Sequence, residues 1–97
     1  MRRADHLALL DHLAADGLVL EHVSVPRREV VHVKSLIESY PGIGSVHAPP
    51  GRELGERTSL VVATAPGFVA MMDGILAELE DEVGLMRGVR DTREETA

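Results

Sequence analysis

The sequence predicts a single small α+β domain, and three observations predict it. Two segments have the helical repeat of apolar residues, several short runs are dense in valine and leucine, and Pro/Gly pairs separate these segments. A chain of 97 residues with 44% hydrophobic content is long enough for one buried core and too short for two.

Ala4 to Ala15 reads as a helix. At about 100° per residue, Leu7, Leu10 and Ala14 share one side with Leu13 at its edge, opposite Asp5, His12 and Asp16, and Gly17 is a natural stop. Leu18 to Val25 is aliphatic and β-branched and ends at Pro26, which suits a strand feeding a helix. That helix is expected over Arg27 to Tyr40. Val30, Val33, Leu36, Ile37 and Tyr40 would turn inward, and Pro41-Gly42 would end it.

Ile43 to Ala48 is a short second strand, followed by the turn-forming run Pro49 to Gly55. Thr58 to Thr64 is the third strand. Ala65-Pro66-Gly67 opens a helix whose stripe is Phe68, Met71, Met72, Ile75, Leu76, Leu79 and Val83, with Gly74 as an interior defect. Leu85 to Val89 is expected as an edge strand, and residues 91–97 as a charged tail.

After the leading helix of residues 1–17, the order is strand, helix, strand, strand, helix, strand. This is the ferredoxin-like βαββαβ pattern, expected over residues 18–90 as a four-stranded antiparallel sheet with both helices on one face. The strands are apolar on both sides: Leu18 and Leu20 oppose Val19, Val23 and Val25, and Leu60 and Val62 oppose Val61 and Ala63. Both sheet faces therefore need cover. The candidates for the helix-free face are the leading helix and a second copy of the chain, and a homodimer is the favoured expectation.

Composition narrows the function. A net charge of -6 with scattered basic residues argues against nucleic acid, and strands without aromatics lack the stacking platform of sheet-based RNA readers. No apolar run is long enough to span a bilayer, and Met1-Arg2-Arg3 leads into Asp5 and His6 instead of an apolar leader core; with no cysteine, a cytoplasmic location is expected. No cofactor motif is present: the glycines of Tyr40 to Gly44 follow a helix, lack a Lys-Ser/Thr pair, and read as a turn.

Five histidines invite a metal, but His6 and His12 are six apart on a helix, His32 lies on a polar face, and His22 and His47 belong to strands that are not neighbours. The expectation is no metal site. The acids Glu78, Glu80, Asp81 and Glu82 read as a solvated helix face. Arg27 and Arg28 stand at a strand-to-helix turn, where cations oppose the helix dipole. With the exposed N–H groups they make a candidate site for a small anionic metabolite, a carboxylate or a phosphate. No nucleophile with its base, and no acid and base pair, stands out, so a non-catalytic module is expected. An enzyme using Glu38, Tyr40 or a histidine between subunits is the weaker reading.

Val25-Pro26-Arg27-Arg28-Glu29-Val30-Val31-His32-Val33-Lys34, Ile37 to Ile43, Ala65-Pro66-Gly67 and Ile75 to Leu79 together resemble the bacterial domain of unknown function 4911 family over Val23 to Met86. That resemblance implies a shared role for Glu38, Tyr40 and Gly42. The chain departs from it at Pro41, where an acid is common, and by a longer loop at Pro49 to Arg57. More distantly it is similar to ACT-type regulatory domains, to the effector-binding domains of leucine-responsive regulators, and to small chaperones that grip twin-arginine signal peptides. The expected function is a regulatory or interaction module that dimerises through its sheet, with Arg27, Arg28, Glu38, Tyr40 and Gly42 as candidate ligand-binding residues. The alternative is an adaptor or chaperone-like module that pairs a peptide strand on a sheet edge.

Overall fold

A computed structural model describes residues 17–48 and 53–91. The helix expected within residues 1–17, the rest of the tail, 92–97, and part of the long loop, 49–52, lie outside the described residues.

The chain runs β1 (Val19–Pro26), a 3₁₀ turn (Arg27–Glu29), α1 (Val30–Glu38), β2 (Gly44–His47) and β3 (Glu53–Leu54). It continues through β4 (Arg57–Thr64), a second 3₁₀ turn (Pro66–Phe68), α2 (Val69–Val83) and β5 (Met86–Asp91). The open sheet has the order β2-β4-β1-β5 with antiparallel pairing throughout, and β3 pairs with β4 off that path. It is an α+β architecture consistent with a ferredoxin-like domain.

Both helices begin later than their sequence patterns suggest, for one reason. Neither Pro26 nor Ala65 has a side chain that accepts from the first N–H groups, so each first turn tightens into a 3₁₀ turn, with Val30 N–H donated to the Arg27 carbonyl and Phe68 N–H to the Ala65 carbonyl. At the other end of α2, Gly84 at φ 74° lets Leu85 N–H reach back to the Leu79 carbonyl.

The alternation of each strand sorts its side chains onto two faces. Val23, Val25, Val46, Leu60 and Val62 form the main core with Val33 and Ile37 of α1 and Met72, Ile75, Leu76 and Leu79 of α2. Leu20, Val61 and Ala63, with Leu18 against them, form a second buried cluster on the opposite face. Both apolar faces read from the strands are thus buried within a single chain over these residues.

The helical stripes are narrower than their periodicity suggests. Phe68 and Met71 of the α2 pattern, and Tyr40 of the α1 pattern, are exposed. Tyr40 and Phe68 lie just outside the two helices, and Met71 is in the first turn of α2 beside the buried Met72. Gly44 allows β2 to pack closely, since a Cβ there would stand 2.4 Å from the Ala63 carbonyl oxygen.

Candidate functional site

On the face of the sheet opposite α1 and α2, the helix-free face among the described residues, the sheet divides into two halves. One is the closed apolar cluster of Leu20, Val61 and Ala63. The other is a shallow depression of about 210 Å³, lined by His22 and Ser24 of β1, Ser59 of β4, and Met86 and Gly88 of β5, with Val23 and Arg87 at its margin.

The depression follows from local sequence. Val23 pairs with Arg87 and Glu21 with Arg90, so two residues of β5, Gly88 and Val89, oppose His22 alone. This is a β-bulge. A Cβ on Gly88 would lie 2.9 Å from the His22 carbonyl oxygen, so only glycine brings the strands this close, and its missing side chain leaves the floor open. Met86, opposite Ser24, forms an exposed apolar rim.

Arg57 closes the end nearest Pro26. Its Nε donates to Ser24 Oγ at 3.1 Å, and its Nη2 donates to the carbonyls of Ser24 at 2.8 Å and Gly84 at 2.9 Å. The guanidinium thus ties β4 across β1 to the start of β5. Beneath the sheet, Arg87 holds the Glu21 carboxylate in a two-pronged pair, Nε to Oε2 at 2.5 Å and Nη2 to Oε1 at 2.9 Å, and reaches Asp73 Oδ1 of α2 at 2.7 Å. These contacts, Glu21 first, raise the Arg87 pKa above its already high ordinary value, so it stays a cation. Two arginines therefore clamp the bulged edge strand, one from each side.

The sequence-predicted ligand residues occupy two other places. Arg27 gives its N–H to the Glu56 carbonyl at 2.8 Å and its Nη1 to the Gly55 carbonyl at 3.2 Å, bracing the β3–β4 turn. Arg28 is exposed beside Glu29 at 3.8 Å. Glu38, at the far end of α1, accepts the Val46 N–H at 3.2 Å and so caps an outward-facing donor of edge strand β2. Tyr40 is exposed on the turn that follows, and Gly42 takes the φ of 81° that the turn requires. The nine residues of α1, roughly 13 Å at 1.5 Å each, separate the two arginines from Glu38, Tyr40 and Gly42, and none of the five lines the depression.

His22 and His47 both pair with Val61, from opposite sides, so they flank it on the helix-free face. His47 Nε2 lies 2.8 Å from Ser45 Oγ, a contact between side chains two apart on one strand face. Burial lowers the His47 pKa, against the pull of the nearby Glu38 carboxylate and with a smaller push from Lys34. Among the described residues no group of three or more His, Asp or Glu side chains converges as a metal site, and no helix is long and apolar enough to cross a membrane.

Sequence reasoning passed over Glu21, Arg57 and Arg87, though one signal was present. Glu21 shares the alternation of Val19, Val23 and Val25, so it had to point into the core side of the sheet, where an acid requires a cationic partner. Gly88 inside a short strand was the corresponding sign of a bulge. Hydroxyls, an imidazole, a thioether rim and open backbone suit this face to binding by shape and hydrogen bonding. Compared with known protein families, curated proteins and solved structures, the chain finds no match.

Proposed function

We propose that the chain is a non-catalytic interaction module of ferredoxin-like, ACT-like fold that forms a homodimer through the open half of its helix-free sheet face. The observation that carries this reading is the division of that face. Its apolar half is already closed within one chain, whereas the His22, Ser24, Ser59 and Gly88 depression is open beside an exposed Met86. An isologous pairing would seat each Met86 in the other copy's depression, the place left vacant by Gly88. The kinship to the family of Glu38, Tyr40 and Gly42, and a small-anion site at Arg28, belong to the same proposal; a metabolite anion should then stabilise the wild type in a thermal-shift assay and leave Arg28→Ala unmoved.

Light scattering on a size-exclusion column tests the pairing. The wild type should have twice the chain mass at tens of micromolar and a melting temperature that rises with concentration, and Met86→Lys and Ser59→Arg should return it to one chain with an unchanged circular dichroism spectrum. A wild type of single-chain mass at every concentration would refute it. The second reading, a peptide strand added at an edge, is favoured by one asymmetry. Glu38 blunts the β2 edge, while no described residue caps the outer edge of β5 in the same way.

A further inference from the structure

We propose that Ser45 is a reactive serine that accepts one acyl group from a small activated donor, a thioester or an aryl ester, with His47 as its general base. The pair stands on β2, an edge strand on the far side of β4 from β1 and β5, so the site does not rest on the pairing proposed above. Its geometry is that of a nucleophile and its base. Ser45 Oγ and His47 Nε2 are 2.8 Å apart, both residues are half-buried, and among the described residues neither side chain has another hydrogen-bond partner. Elsewhere Ser24 Oγ accepts from Arg57 Nε and Ser39 Oγ donates to the Leu36 carbonyl at 2.6 Å, which leaves Ser45 as the described serine with an imidazole within hydrogen-bond distance.

The strand pattern brings these groups together. Ala65 N–H is donated to the Ile43 carbonyl at 2.8 Å, so Ser45 and His47 turn their backbone N–H groups to β4, while Gly44 and Val46, between them in the alternation, turn theirs outward. At i and i+2 the Ser45 and His47 side chains share one face of the strand. Glu38 accepts the outward Val46 N–H at 3.2 Å, which anchors its carboxylate beside the residue that separates the two. The Gly44 N–H, outward and adjacent in sequence to Ser45, is the donor available to an oxyanion. Burial lowers the His47 pKa below 6.5, against the opposing Glu38 carboxylate and with a smaller push from Lys34, so near pH 7 the ring is neutral and able to take a proton.

In the transfer, Ser45 Oγ forms a bond to the acyl carbon and its proton passes to His47 Nε2. The bond from that carbon to the sulfur or oxygen of the leaving group then breaks, and the imidazolium gives the proton to the departing thiolate or phenolate. The product is an ester at Ser45, with nothing oxidised or reduced. The edge position selects the donor: an amide needs its poor leaving group protonated within an enclosing site, whereas an activated ester departs from an open strand edge without that help.

The test is incubation of the full chain with p-nitrophenyl acetate, read by nitrophenolate release and by peptide mass spectrometry. One acetyl group should map to Ser45. Ser45→Ala should lose it, and His47→Gln should slow its arrival by about a hundredfold or more, both variants keeping the wild-type circular dichroism spectrum. The wild-type rate should fall in acid with a midpoint below pH 6.5, and Glu38→Gln should move that midpoint lower, because the carboxylate favours the imidazolium; a purely structural Glu38 would leave it in place. Acetyl confined to Lys34, or a wild-type rate no faster than that of His47→Gln, would overturn the proposal. So would nitrophenolate release that survives in Ser45→Ala and is lost in His47→Gln, which would make the imidazole the nucleophile.

Discussion

Replacing Arg87 by Met probes the clamp on the edge strand. The side chain it holds, Glu21, is 8% exposed, Arg87 itself 25%, and Asp73 41%. Taking the cation from a buried, two-pronged pair costs about 3–5 kcal/mol, because the carboxylate has already given up its water. The partial exposure of Arg87 places the expected loss near the lower figure, about 3 kcal/mol. The contact to Asp73 is more exposed than the one to Glu21 and contributes about 0.5 kcal/mol. In a domain of this size each kcal/mol moves the melting temperature by about 4–8 °C, so Arg87→Met should melt roughly 15 °C lower and Asp73→Asn only a few degrees lower. Circular dichroism melts with parallel urea titrations read both. The double variant Glu21→Leu/Arg87→Leu should lose much less than the sum of its parts, since an apolar pair of similar volume replaces the ions. Equal losses for Arg87→Met and Asp73→Asn, or a loss below about 1 kcal/mol for Arg87→Met, would refute the assignment of Glu21–Arg87 as the buried tie.

Two glycines should respond in opposite directions. Gly74 sits in α2 with open space around its Cβ position, so Gly74→Ala should stabilise by roughly 0.5–1 kcal/mol in a urea melt, whereas Gly44→Ala forces a Cβ against the Ala63 carbonyl and should destabilise by about 2 kcal/mol. His47 should make stability fall on the acid side. Burial sets its folded pKa below 6.5, so the unfolded chain binds the proton more readily, and stability is lost as pH drops through 6.5 and levels off below the folded pKa. His47→Gln should flatten that part of the stability profile, and an unchanged slope would contradict the burial argument. Glu38→Ala leaves the Val46 N–H at the β2 edge without its carboxylate and should cost about 0.5–1 kcal/mol by urea titration, with Glu38→Gln closer to wild type.

What could be read in the sequence was what depends on periodicity and punctuation. The α+β class, the two-sided apolar strands, the inward Val33, Ile37, Met72, Ile75, Leu76 and Leu79, and the stop at Pro41-Gly42 follow from side-chain alternation and backbone preference within a few neighbouring residues, whereas the short β3 lies in a run that reads as a turn. Tertiary structure decided what depends on distant partners. Arg57 meets Ser24 across 33 positions and Arg87 meets Glu21 across 66, and no local pattern reports such encounters. The same holds for the site. Arg27 and Arg28 are adjacent in sequence, yet one braces a turn and the other stands in solvent, because the first turn of α1 tightens to 3₁₀ where Pro26 offers no cap. Phe68 and Met71 fit the helical repeat and still face outward while Met72, next to Met71, is buried, because periodicity gives the direction of a stripe but not how wide an arc of it the sheet covers. Local physics determined which elements form, and the long-range closing of β5 onto β1 determined where a depression could open.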